Sequence, residues 1–125
     1  MKTDNRKIGD RGEDLAEKFL KNKGYRILSR NYSCQGGEID IIAGKHNVLF
    51  FVEVKAIDKN KFFLPEENIH FKKQQRLIKT ARTYLSEKKY PVDTLWQIDA
   101  IIVRLADDQS QIEIEHLENV IWEVS

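Results

Sequence analysis

Asp40, Glu53 and Lys55 fall in the stretch GGEIDIIAGKHNVLFFVEVK, where a lone carboxylate precedes an E-x-K triplet inside two runs of strand-forming residues. Two carboxylates and an ammonium on neighbouring strands are the groups needed to hold a hard divalent cation and a water against a phosphodiester. The spacing allows that geometry. Residues 38–43 are Ile-rich, residues 48–56 are Val/Phe-rich, and Gly44, Lys45, His46 and Asn47 between them predict a tight hairpin. If the loop is symmetric about His46 and Asn47, Asp40 lies opposite Glu53, and directly opposed residues have Cβ atoms roughly 4.5 to 5.5 Å apart. Side chains alternate along a strand, so Glu53 and Lys55 share one face and Val52 and Val54 the other. A register slip of one residue would undo the pairing.

Electrostatics point the same way. Opposed carboxylates on an apolar sheet raise each other's pKa unless positive charge sits between them. Lys55 supplies part of that charge, and bound Mg²⁺ or Mn²⁺ would supply more. Lys55 is also placed to orient a water or steady developing negative charge. The competing reading is an ordinary surface ion pair between Glu53 and Lys55 with Asp40 solvated, which an arbitrary E-x-K triplet would favour. Against it stands VLFFVEVK, a continuous apolar run with charges only at its end, the mark of a buried strand whose polar positions have a use.

The elements that must carry these groups follow from periodicity. Ile8, Leu15, Ala16, Phe19 and Leu20 recur at helical spacing and Gly24 provides a stop, predicting a first helix over 6–23 with Glu13 on the flank of its apolar face. Gly9 and Gly12 would let that face approach a sheet closely. A strand is predicted over 25–32, then the hairpin. Leu77, Ile78, Ala81, Tyr84 and Leu85 form one stripe of a second helix over 71–87. Strands over 95–105 and 111–117 complete the order α-β-β-β-α-β-β, with 59–68 the one long loop.

GDRGEDLAEKFLKNKGYRILSRNY followed by GGEIDII and FFVEVK resembles the YraN-like family of bacterial nuclease-like proteins, which in turn resemble archaeal Holliday-junction resolvases of the PD-(D/E)XK superfamily. Gly9, Gly12, Glu13, Asn31, Gly37, Glu38, Asp40, Glu53 and Lys55 carry the resemblance, dense over 9–55 and thinner to about Asp99. It implies an α/β fold with a mixed central sheet flanked by helices, like the restriction-endonuclease core. It also implies a metal site made by Asp40 and Glu53, with Lys55 as catalytic lysine and Glu13 as a helix-borne acidic partner. Branched DNA as substrate and a homodimer are further implications. Two positions depart from the family pattern: Ile57 stands where an arginine often follows the lysine, and Gln97 where a basic residue often precedes the late-strand Asp. Both departures bear on substrate contacts more than on metal binding. A noncatalytic nucleic-acid-binding or assembly protein that keeps the fold is the alternative.

Composition bounds these readings. With 125 residues, 41% apolar and 33% charged, the chain predicts a single domain over 1–125. MKTDNRKIGD lacks an apolar leader core and no apolar run nears membrane-spanning length, which predicts a cytoplasmic protein. Cys34 is the only cysteine, so neither an internal disulfide nor a thiolate zinc cluster can form. Neighbouring Ser33, Gln35, Gly36 and Gly37 place it in a loop. His46, His70 and His116 show no metal-ligand spacing and are assigned no chemistry.

The net charge of +1 conceals a polarity. Residues 72–89 hold seven lysines and arginines against Glu87 alone, whereas the segment after Arg104 holds six carboxylates and no cation. Lys72, Arg76 and Lys79 share a helix face suited to a phosphate backbone, although such runs often serve only to solvate a helix. No groove-reading motif accompanies them, and Trp96 and Trp122 read as core or interface residues.

Overall fold

The computed structural model describes residues 4–58, 71–106 and 110–120. Helix α1 covers Asp4–Asn22 and strands β1, β2 and β3 cover Arg26–Cys34, Gly37–Lys45 and Val48–Asp58. Helix α2 covers Phe71–Glu87, and β4 and β5 cover Leu95–Leu105 and Ile112–Leu117. The predicted 59–68 loop and Trp122 lie outside the described residues. Among the described residues no helix is long and apolar enough to cross a membrane.

Local chemistry explains where the elements stop. Tyr25 N donates to Leu20 O at 3.0 Å and Gly24 N to Lys21 O at 3.0 Å, with Gly24 at φ 90°. This is the Schellman ending that glycine adopts without a Cβ clash. Helix α2 ends the same way, Tyr90 N on Leu85 O at 2.9 Å and Lys89 N on Ser86 O at 3.1 Å, but with Lys89 at φ 58° in the glycine position. Between β2 and β3 the turn is His46-Asn47, both with positive φ (51° and 63°), the twist a two-residue hairpin requires. The β1–β2 connection is tighter than expected. Cys34 belongs to β1 and pairs with Gly37, leaving Gln35 and Gly36 as the turn.

The five strands form one mixed sheet in the order β1-β2-β3-β4-β5. Neighbours are antiparallel except β3 and β4, which run parallel because α2 carries the chain back between them. Buried on both faces, β3 and β4 read as near-continuous apolar runs. On one face Ala16 and Leu20 of α1 pack with Ile41, Ala43, Val52, Ile101 and Val103. On the other, Leu77, Ile78, Ala81 and Tyr84 of α2 pack with Ile39, Ile42, Phe51 and Ile98. Tyr84 sits among aromatic edges from Tyr32 and Phe51, and Trp96 meets Phe51 edge-on, within this second core.

Two glycines set the helix-to-sheet distances. A Cβ on Gly12 would lie 2.6 Å from that of Ala56, so only a glycine lets α1 rest on β3 at this height. A Cβ on Gly37 would collide with the Thr80 hydroxyl of α2. Gly9, expected to share that role, has open space around it and does not.

Candidate active site

The β2–β3 ladder keeps one register through Lys45↔Val48, Gly44↔Leu49, Ala43↔Phe50, Ile42↔Phe51 and Ile41↔Val52, and there it ends. The next step would oppose Asp40 and Glu53. Instead the Asp40 carboxylate takes over from the backbone, its Oδ2 accepting the Val54 amide at 2.8 Å. Side-chain alternation also breaks at this point. Ile41 and Ala43 pack under α1, whereas Ile39 joins Ile42 under α2. The facing strand breaks step too: Arg30 pairs with Ile41 and Tyr32 with Ile39, while Asn31 between them has φ 53°. Arg30 therefore turns towards α1 and Tyr32 towards α2. The paired irregularities free Asp40 from ladder duty in the middle of a sheet.

Asp40 and Glu53 line one cavity of about 570 Å³ with Gly36, Gly37, Glu38, Lys73, Arg76 and Leu77. The cavity lies between the β1–β2 turn, the end of the β2–β3 ladder and the first turns of α2. Burial, the Glu53 carboxylate and, more weakly, those of Glu13 and Glu38 push the Asp40 carboxyl up from 3.8 to about 7, against the opposing pull of the Val54 amide. Opposite the carboxylates sits positive charge: Lys73 Nζ lies 2.6 Å from Glu53 Oε1. Arg76 is exposed at the rim, one helical turn on.

The other expected residues are distributed around this centre. Lys55 follows Glu53 by two residues on β3, while Val52 and Val54 pack on the α1 side. Its side chain is exposed and is not among those lining the cavity. Glu13 stands on α1 and is held by Arg30 at 3.3 Å, beside Asp14 at 2.8 Å on the same guanidinium. It acts on Asp40 through its charge and does not line the cavity. Lys79 lines a separate shallow groove with Gln75, Arg82 and Ser86. The side chain of Lys72 lies outside the described set. Sequence inspection missed Lys73, whose charge was visible in the basic run, because spacing alone does not say which lysine flanks the buried stripe and reaches the sheet.

A second polar group lies on the α1 side of the sheet. Asp99, fully buried, accepts from Gln97 Nε2 at 2.8 Å and the Asn119 amide at 2.9 Å through Oδ1, and its Oδ2 lies 2.8 Å from His116 Nε2. Asp99, His116 and Glu118 offer ligand atoms within 4.8 Å of one another and form a group able to hold a metal ion. His116 was expected to have no such company. Its ligand partners come from β4 and from the segment just past β5, a meeting that only strand pairing creates. Gln97, one of the two departures from the family pattern, donates to Asp99 and is not among the residues lining the Asp40 cavity.

Fold and site together define an α/β domain whose mixed five-stranded sheet carries an acidic cavity under a basic helix. The profile of the family described as "Uncharacterised protein family UPF0102" matches residues 12–103, and the chain belongs to this family, the YraN family. A UPF0102 protein of Clostridium perfringens is 43% identical over 119 residues, covering 95% of this chain and 97% of the relative. One from Alkaliphilus oremlandii is 39% identical over 115 residues, 92% and 97% of the two chains. Another, from Caldanaerobacter subterraneus, is 43% identical over 91 residues, 72% and 75% of the two chains.

Proposed function

We propose that this protein binds nucleic acid and hydrolyses phosphodiester bonds with Mg²⁺ or Mn²⁺ held by Asp40 and Glu53, on a core of the restriction-endonuclease type. One observation carries the reading: two carboxylates from adjacent strands face one cavity where the sheet ladder ends, under a helix that supplies cations. The donor set fits a hard cation, being all oxygen. The cavity also calls for positive charge, since neighbouring carboxylates and burial hold Asp40 at about 7 and an ammonium already sits against Glu53. When bound there, such a cation supplies Lewis-acid polarisation of a phosphate oxygen and a lowered pKa for bound water.

The chain's own groups divide the remaining work. Arg76 at the rim binds phosphate in its planar fork, with Lys72 and Lys79 extending the contact along the backbone. Lys55, on the strand that carries Glu53, assists the attacking water, and Glu13 adds negative charge at the Asp40 end. Branched DNA is the substrate class to try first, and a homodimer the assembly, both by similarity to junction resolvases.

A noncatalytic nucleic-acid-binding or assembly role is the second reading, favoured by Lys55 standing outside the cavity lining and by Glu13 being paired with Arg30. Incubating forked, four-way and single-stranded DNA and RNA with Mg²⁺ or Mn²⁺, beside Asp40→Asn and Lys55→Ala, separates the two. Cleavage that disappears in both variants supports the nuclease. Salt-sensitive binding without metal-dependent cleavage on any substrate supports the binding protein, and no binding at all removes both.

A further inference from the structure

Among the described residues, Lys73 is the one cation in direct contact with a carboxylate of the cavity. Its Nζ lies 2.6 Å from Glu53 Oε1, within charge-assisted hydrogen-bonding contact, and both residues line the cavity with Asp40. Its place on the helix is unfavourable by itself. Helix α2 begins at Phe71, so Lys73 stands in the first turn, where the backbone dipole disfavours a cation, and that turn has no acidic residue to compensate. Helix stability therefore does not account for a lysine here; the contact with Glu53 does.

That contact uses the oxygen a metal ion would need. A hard divalent cation sits about 2.0 to 2.6 Å from a carboxylate oxygen, and an ammonium hydrogen-bonded to the same oxygen occupies the same space and repels it. Resting on the reading that Asp40 and Glu53 hold a metal, we infer that Lys73 is a tethered cation that competes with the metal for Glu53 and, once displaced, becomes a phosphate ligand in the same cavity. Metal and nucleic acid then assist each other through Lys73. Without metal its charge is spent on Glu53, and with metal it is released towards phosphate. Coupling of this kind is reciprocal, so nucleic acid also tightens metal binding.

Lys73→Gln, Lys73→Arg and Asp40→Asn in the full chain test this, with Mn²⁺ affinity measured by isothermal titration calorimetry at fixed pH and ionic strength. DNA affinity is measured in parallel by fluorescence anisotropy, with Ca²⁺ or with EDTA. Lys73→Gln is expected to tighten Mn²⁺ binding about tenfold, equivalent to about 1.4 kcal/mol, while Lys73→Arg stays near wild type because it keeps the ion pair. A merely structural role would not produce this gain. The same Gln variant is expected to weaken DNA binding in Ca²⁺ and lower the salt slope by about one ion, yet to change little in EDTA. Unchanged Mn²⁺ affinity in Lys73→Gln, where wild type binds and Asp40→Asn does not, overturns the inference and leaves the metal site standing. Equal loss of DNA affinity with and without Ca²⁺ overturns it too. Absence of Mn²⁺ binding in both wild type and Lys73→Gln removes the metal site and the inference together.

Discussion

Replacing Asp40 by Asn should make the protein more stable at neutral and alkaline pH while abolishing metal binding. Asn keeps the side-chain oxygen that accepts the Val54 amide and removes the charge that burial, Glu53, Glu13 and Glu38 oppose. The carboxyl is held at about 7 in the folded chain against 3.8 ordinarily. A raised folded-state pKa means that the native protein keeps its proton after the unfolded chain has lost it. Stability is then fully present below about pH 4 and falls as pH rises to about 7. At about 1.4 kcal/mol per pH unit the loss approaches roughly 4 kcal/mol; solvent at the open cavity screens part of it, so we expect roughly 2 to 4 kcal/mol. For a chain of this size each kcal/mol moves Tm by roughly 3 to 6 °C, so at pH 8 in EDTA the variant should melt roughly 10 °C above wild type. Thermal unfolding followed by circular dichroism at pH 4, 5, 6, 7 and 8 reads both curves. They should converge near pH 4 and diverge towards pH 8. A variant no more stable than wild type at pH 8, or a constant offset across the range, would refute the electrostatic account of Asp40.

Three further outcomes are expected. Mn²⁺ should raise the Tm of wild type and of His116→Gln by similar increments but not that of Asp40→Asn; an increment lost only in His116→Gln would move the metal to the Asp99 group. Gly12→Ala should destabilise the fold by about 1 to 3 kcal/mol in urea titrations, because its methyl would meet Ala56 at 2.6 Å, and Ala56→Gly on top should recover part of the loss. Lys89→Gly should stabilise by up to about 1 kcal/mol, since Lys89 ends α2 at φ 58° where glycine is unstrained; a loss of stability would show that the lysine side chain matters more than its backbone.

Much of the architecture could be read from residue order. Helical stripes such as Leu77-Ile78-Ala81 and the apolar runs of β3 and β4 have one low-energy arrangement, because burial periodicity differs between helix and strand. The His46-Asn47 turn likewise implies the β2–β3 register, which holds through five pairs. Local sequence also marked Asp40 and Glu53 as charges in apolar surroundings and α2 as basic. Other features were closed to it. That the ladder stops at Ile41↔Val52 depends on Asn31 of β1 and on a carboxylate replacing a carbonyl, a three-strand event. That Lys73 and Arg76 rather than Lys79 reach the acidic cavity depends on how α2 rotates over the sheet, which Gly37 against Thr80 helps to set. The meeting of Asp99 with His116 needs β5 to pair beside β4. Short-range pattern determines which segments form and which faces they bury; the partners of each charge belong to the tertiary structure, because a charge finds its counterion across space and not along the chain.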